Sequence, residues 1–123
     1  MTRNAVRWFE IYVQDMNRAK QFYETVFNRK LQKLNSPGME MWSFPMQMDQ
    51  VGTGGSLVKM EGALSGGNST VVYFACEDCA VEAALAEKHG GRIQTPKMSI
   101  GQYGCIALVN DTEGNLIGLH SMQ

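Results

Sequence analysis

The sequence predicts an α+β fold in which two βαβββ modules pair into a curved mixed β-sheet around a cleft. Three observations carry this. The chain has 123 residues, close to twice a unit of about 60, a size at which a single module is marginal alone. Asp15 and Asp78, 63 positions apart, each stand between a β-rich run and a helical run. Each half supplies only one helix for its strands, too little to cover both faces of a sheet. The apolar faces then pack under the helices, and the opposite faces curve towards each other and enclose a cleft.

In the first module (about 6–60), Val6 to Val13 is rich in β-branched and aromatic residues and alternates like a strand. Phe9, Ile11 and Val13 form its apolar face; Trp8, Glu10 and Tyr12 form the other and look into the cleft. Asp15 is a helix N-cap, followed by Ala19, Phe22, Tyr23 and Val26 at the i, i+3, i+4, i+7 spacing of a core-facing helix. Further strands are expected within Asn28–Leu34, at Glu40–Met48 and at Ser56–Met60, with breaks at Pro37-Gly38 and Gly52–Gly55. The second module (about 70–122) repeats the programme. Val71–Cys76 reads as a strand and Asp78 as an N-cap; Val81, Ala84, Leu85 and Lys88 mark one side of a helix closed by Gly90-Gly91. A short extended piece at Arg92–Thr95 precedes strands at Tyr103–Val109 and Leu116–Ser121, and the six residues between these two have hairpin-turn chemistry.

Composition narrows the function classes. With 11 Lys+Arg against 12 Asp+Glu, a net charge of −1, the chain has no broad field for nucleic acid or an anionic membrane. No run approaches the roughly 18 apolar residues of a membrane span, and Met1 to Arg7 lacks the apolar run of a signal peptide, so a cytoplasmic protein is expected. Three cysteines, Cys76, Cys79 and Cys105, are too few for a secreted disulfide framework, and reduced thiols are the default.

Two stretches carry a resemblance. Trp8-Phe9-Glu10-Ile11-Tyr12-Val13-Gln14-Asp15 with the following Arg18-Ala19-Lys20-Gln21-Phe22-Tyr23, and Asp111-Thr112-Glu113-Gly114-Asn115-Leu116-Ile117-Gly118-Leu119, resemble the vicinal oxygen chelate superfamily of glyoxalase I, bleomycin-resistance proteins and extradiol dioxygenases. The resemblance implies a homodimer. Metal-bearing members carry His, Gln or Glu on the first and last strand of each repeat; carried over, those positions fall on Trp8, Val71, Gly118 and, by the 63-residue offset, near Gly55. None of these side chains ligates a divalent metal, and such a site needs at least three ligands at about 2.0 to 2.3 Å. No metal cofactor is therefore expected.

Glu10 is then the principal polar group of the expected cleft. It either reaches solvent at the cleft mouth or, desolvated between Trp8 and Tyr12, serves as a base next to a carbonyl or as an anchor for a cationic group. His120 shares the side of the last strand that carries Gly118; it is either a partly exposed histidine near the chain end or Glu10's partner in proton transfer. His89 is read as a helix C-cap. Cys76-Glu77-Asp78-Cys79 has C-x-x-C spacing but lacks a second pair, so Cys76 and Cys79 are read as core and turn residues. Met39, Met41, Met46 and Met48 gather with Trp42 and Phe44 around the third strand, either as packing or as an adaptable pocket wall. Lys97 and Tyr103, before the seventh strand, are candidate contacts at the cleft edge.

The expectation is thus a protein that binds a small organic molecule in an apolar cleft, with Glu10 and His120 as candidate catalytic residues and Trp8, Tyr12, Trp42, Lys97 and Tyr103 as candidate ligand contacts. Either it is a metal-independent lyase or isomerase, or it sequesters its ligand without turnover; metal chemistry through relocated ligands is the remaining alternative.

Overall fold

The structure, a computed structural model, describes residues 4–47 and 49–123. Strand β1 (Trp8–Tyr12) alternates as its sequence demands: Ile11 and, just beyond the strand, Val13 are buried, and Phe9 packs against the core. Asp15 ends the extended run and starts α1 (Met16–Phe27), its Oδ1 accepting from the Arg18 amide at 3.1 Å. Met16, Ala19, Phe22, Tyr23 and Val26 are the buried stripe, and Asn28 closes the helix in the left-handed region at φ 52°. Strands β2 (Gln32–Leu34), β3 (Glu40–Ser43) and β4 (Gly54–Lys59) complete the first repeat. The second follows as β5 (Tyr73–Ala75), α2 (Cys79–Lys88), β6 (Arg92–Ser99), a 3-10 turn at Gly101–Tyr103, β7 (Cys105–Asn110) and β8 (Leu116–Ser121).

The two four-stranded sheets have the same order, β1-β4-β3-β2 and β5-β8-β7-β6. In each, the first strand runs parallel to the last, with antiparallel pairs elsewhere. A parallel pair needs a long crossover, which the helix and middle strands supply. This is the predicted α+β fold of two βαβββ modules. Among the described residues the two sheets share no ladder; one hydrophobic cluster on their helix-facing sides joins them. Phe9 and Phe74 meet edge to face at 6.1 Å, and Phe27 stacks on Phe74 at 4.4 Å.

Four expectations need correction. The third strand ends at Ser43 rather than Met48: Pro45 has no amide for the ladder, and Met48 lies outside the described residues. The short extended piece at Arg92–Thr95 is an eight-residue strand that continues through Pro96. An edge strand with register shifts on either side of Thr95 tolerates the missing N–H. The fifth strand begins at Tyr73, leaving Val71 outside it. Finally, α2 buries Cys79, Ala83 and Ala86, whereas Val81 is 55% exposed. Small residues let α2 approach the sheet and α1 closely, and Gly91 just beyond has no room for a methyl between Phe22 and the Ala86 and Asn110 carbonyls.

Long-range polar contacts lock the second repeat's hairpin turn onto the start of α1. Glu113 accepts from the Gln14 and Asp15 amides, both at 2.9 Å, and from Arg18 Nε at 2.6 Å. Asn115 Nδ2 donates to the Tyr12 carbonyl at 2.9 Å. These side chains fix the direction of β1 and with it the residues on its open face.

Candidate functional site

Register and alternation assign the open face of the first sheet. Glu10 stands opposite Ser56, Tyr12 opposite Val58, and Ser56 is also opposite Ser43 on β3. Glu10 is exposed, and its neighbours two residues either side orient it: Tyr12 Oη–H donates to Oε1 at 3.1 Å and Trp8 Nε1–H to Oε2 at 3.4 Å. The hydrogen bond to Glu10, with burial and the negative charge of the carboxylate, raises the Tyr12 phenol above its usual value and keeps it a donor. Beneath them Ser56 is fully buried, and its Oγ has no partner among the described residues.

The open face of the second sheet is built around His120. Its cross-strand neighbours are Ala75 on β5 and Ile106 on β7, and with Tyr73 and Ile100 they frame an open hollow of about 450 Å³. His120 Nε2 lies 2.6 Å from the Tyr103 carbonyl. Because a carbonyl only accepts, Nε2 carries the proton in this contact. Gly104 holds that loop in place: its φ is +103°, and a methyl there would collide with the Ser121 carbonyl.

Glu10 and His120 therefore engage different partners, and the hollow at His120 is walled by the second repeat alone. Trp8 and Tyr12 flank Glu10, as their alternation implied. Trp42 does not share that face. It stands opposite Leu57, packs against the core, donates Nε1–H to Glu40 at 3.0 Å and carries Lys20 Nζ 3.3 Å from its ring centroid. Met41 and Ser43 are the β3 residues on the Glu10 side. Lys97 is tied to Asp78, the N-cap of α2, at 2.8 Å, which makes it a brace for that helix. The ion pair, with the Ala80 amide, holds Asp78 below the usual carboxylate range. Tyr103 enters through its backbone carbonyl, its side chain being exposed. His89 is the C-cap of α2 as read. Tyr73 and Ile106 were not singled out in the sequence, although Tyr73 has the parity of Val71 and a place directly opposite Gly118.

The four positions at which the resemblance puts metal ligands are now placed. Gly55 faces the core under the Phe9 ring. The residue that matches Gly118 is Ser56: Gly118 stands opposite Tyr73, five before Asp78, as Ser56 stands opposite Glu10, five before Asp15. A side chain at position 118 would collide with the Tyr73 ring. An indole, a hydroxyl, a valine and a glycine do not fit a divalent ion. Among the described residues, no three His, Cys, Asp or Glu side chains are grouped as a metal site requires.

Known structures share this architecture. TnmS3, an antibiotic binding protein from Streptomyces sp. CB03234, is 22% identical with a TM-score of 0.73 over 98% of each chain. A glyoxylase/bleomycin resistance protein/dioxygenase domain from Frankia sp. EAN1pec is 14% identical with a TM-score of 0.74, covering 99% of this chain and 100% of that one. Glyoxalase I from Zea mays is 19% identical with a TM-score of 0.70; 94% of this chain aligns, spanning 45% of the maize protein. No curated protein matches the sequence. Residues 5–119, which take in all but the last few residues of the two repeats with their common strand order, match one family description, and the chain belongs to the Glyoxalase/Bleomycin resistance protein/Dioxygenase superfamily.

Proposed function

We propose that the protein binds a small organic molecule against the open face of its first sheet, with Glu10 as the polar anchor and without a metal. The observation that supports this reading is the carboxylate itself, exposed on a strand paired with β4 and held between an indole and a phenol that both donate to it. Sites built on strands hold their groups more precisely than sites on loops. With both oxygens already accepting, Glu10 suits a fixed anchor for a cationic or hydrogen-bond-donating ligand. The antibiotic binding protein from Streptomyces, alike in fold over its whole length, is a precedent for binding on this architecture. A homodimer belongs to this proposal: Glu10 is exposed and the hollow at His120 is open in one chain, and a second copy would enclose the two in a cleft.

The second reading is a metal-independent lyase or isomerase in which Glu10 takes a proton and His120 returns it. It rests on the two residues lying on the open faces of the equivalent parallel pairs β1–β4 and β5–β8. A thermal-shift screen of small organic molecules, followed by Glu10→Gln, separates the cases. An anchor predicts that ligand-induced stabilisation falls at least tenfold in apparent affinity; a base predicts retained binding and lost turnover. If Glu10→Gln alters neither, Glu10 is a surface carboxylate and both readings fail. Elemental analysis checks the metal-free state, and light scattering after size exclusion checks the dimer.

A further inference from the structure

We propose that Met46 is a peroxide-sensitive modification site whose oxidation loosens the hydrogen bond between Trp8 and Glu10. Met46 lies beyond the end of the third strand, after Pro45, and its side chain returns to the first sheet at Gly54. Gly54 stands opposite Trp8 and two residues before Ser56, so it shares the open face with Glu10. A methyl group at Gly54 would collide with Met46 Sδ and lie 3.3 Å from Trp8 Cζ3. Gly54 has no positive φ, so its backbone conformation does not require glycine; what glycine supplies is a seat for the sulfur against the strand. A thioether beside the edge of an aromatic ring is a favourable contact.

The contact holds the indole from the side opposite to Glu10. Cζ3 belongs to the six-membered ring, away from Nε1, whose N–H donates to Glu10 Oε2 at 3.4 Å. That bond is long for an N–H···O contact, so the ring's position depends on what packs behind it. Met46 is 53% exposed, open to an oxidant as small as hydrogen peroxide. In the reaction the O–O bond breaks, one oxygen bonds to Sδ, the other leaves as water, and the sulfur gives up two electrons. The sulfoxide is polar where the thioether was apolar. Its oxygen has no room on the side occupied by Gly54 and the indole, and its hydration draws the side chain off that seat. Trp8 then loses its backing. If Met46 were only packing over a glycine, oxidation would change stability and leave the indole in place.

The two tryptophans supply the readout, because each gives one indole N–H peak in a proton–nitrogen NMR spectrum, Trp8's being identified by its loss in Trp8→Phe. The protein is treated with hydrogen peroxide until peptide mass spectrometry finds half of Met122, 69% exposed, as sulfoxide. The expected result is comparable oxidation of Met46 and a second Trp8 peak in proportion to it. Exchange of that indole proton with water should be about threefold faster, the change expected for a hydrogen bond at the weak end of the usual range. The Trp42 peak should stay in place, its N–H being held by Glu40. Met46→Leu keeps apolar bulk without sulfur and should show no peroxide-dependent change at Trp8. Thiol-driven methionine sulfoxide reductases of both epimer specificities should restore the single peak. Met46 left intact while Met122 is oxidised, Met46 sulfoxide with an unchanged Trp8 peak, the same change in Met46→Leu, or a change that survives full reduction of Met46 would each overturn the proposal. No ligand enters the measurement. Absence of Glu10-dependent binding would therefore refute the anchor and leave Met46 as a modification site, and an unresponsive Trp8 would refute this site and leave the proposed function standing.

Discussion

The Tyr23 hydroxyl, fully buried on α1, donates to Asp111 Oδ2 at 2.6 Å across 88 positions of sequence. Asp111 also accepts from the Glu113 and Asn115 amides at 2.8 Å and from Asn115 Nδ2 at 3.0 Å, so a buried carboxylate in the second repeat's turn has four donors. Burial and the nearby Asp111 charge push the Tyr23 phenol well above its usual value, keeping it protonated to donate. A buried carboxylate is tolerable only when so satisfied. Tyr23→Phe should therefore cost about 2 kcal/mol, the scale of a hydrogen bond to a charged group, read from urea denaturation. Asp111→Ala strands several donors at once and should cost about 4 kcal/mol or more by the same reasoning. Equal, small effects would mean that the contact contributes little to joining the repeats.

Acid should loosen the same region through Glu113. Burial alone would raise its carboxyl, but Arg18, the Asp15 and Gln14 amides and the Thr112 hydroxyl outweigh it and lower the group from 4.5 to about 2. A depressed folded-state value means that the unfolded chain binds the proton first as pH falls. The stabilisation is complete above about pH 4.5 and is lost between there and about pH 2. Allowing for screening of the half-exposed Arg18, it amounts to roughly 2 kcal/mol. Glu113→Gln should lower stability at pH 7 by that amount, and should narrow its gap to the parent protein as pH falls from 4.5 to 2. A constant gap over that range would assign the effect to packing rather than charge.

Local pattern made much of this molecule legible. Alternation along β1, the aspartate before each helix and the 3-4 spacing of α1 are local signals, and the faces of Phe9, Ile11, Trp8, Glu10 and Tyr12 follow from them. The clasp between the 111–115 turn and α1 had no such signal, because its partners lie 88 to 103 positions apart and the turn chemistry of those residues already accounted for their types. The methionine-rich surroundings of Trp42 fit either packing or a pocket wall, and strand parity, which puts it with Leu57 and the core, favours packing. Tyr73 carries no local signal, because the hollow forms only when β5, β7 and β8 come together.

Helix α2 shows a further limit. Cys79-Ala80-Val81-Glu82-Ala83-Ala84-Leu85-Ala86 is apolar almost all round, so the position of the buried stripe depends on which face the neighbours need. The structure selects the small residues. Val81→Ala should then change stability by less than about 0.5 kcal/mol, while Ala86→Leu should overpack the interface and cost about 2 kcal/mol. Denaturant midpoints of the two variants decide the matter, and the reverse order would restore the face centred on Val81.

The C-x-x-C motif should behave as inert packing. Burial, then the adjacent Glu82 carboxylate, push the Cys76 thiol up to about 12, and Cys79 is fully buried at the start of α2. A thiol nucleophile acts as its thiolate, so at pH 8 Cys76 offers about one part in ten thousand of the reactive form by the tenfold-per-unit rule. Ellman's reagent at pH 8 should leave both unmodified in the native protein, any early reaction belonging to the partly buried Cys105, and all three thiols should react once urea unfolds the chain. The cleanest version uses Cys105→Ser, in which native reactivity should vanish. Rapid native labelling of Cys76 in that variant would show an activated thiol and reopen a redox role for the motif.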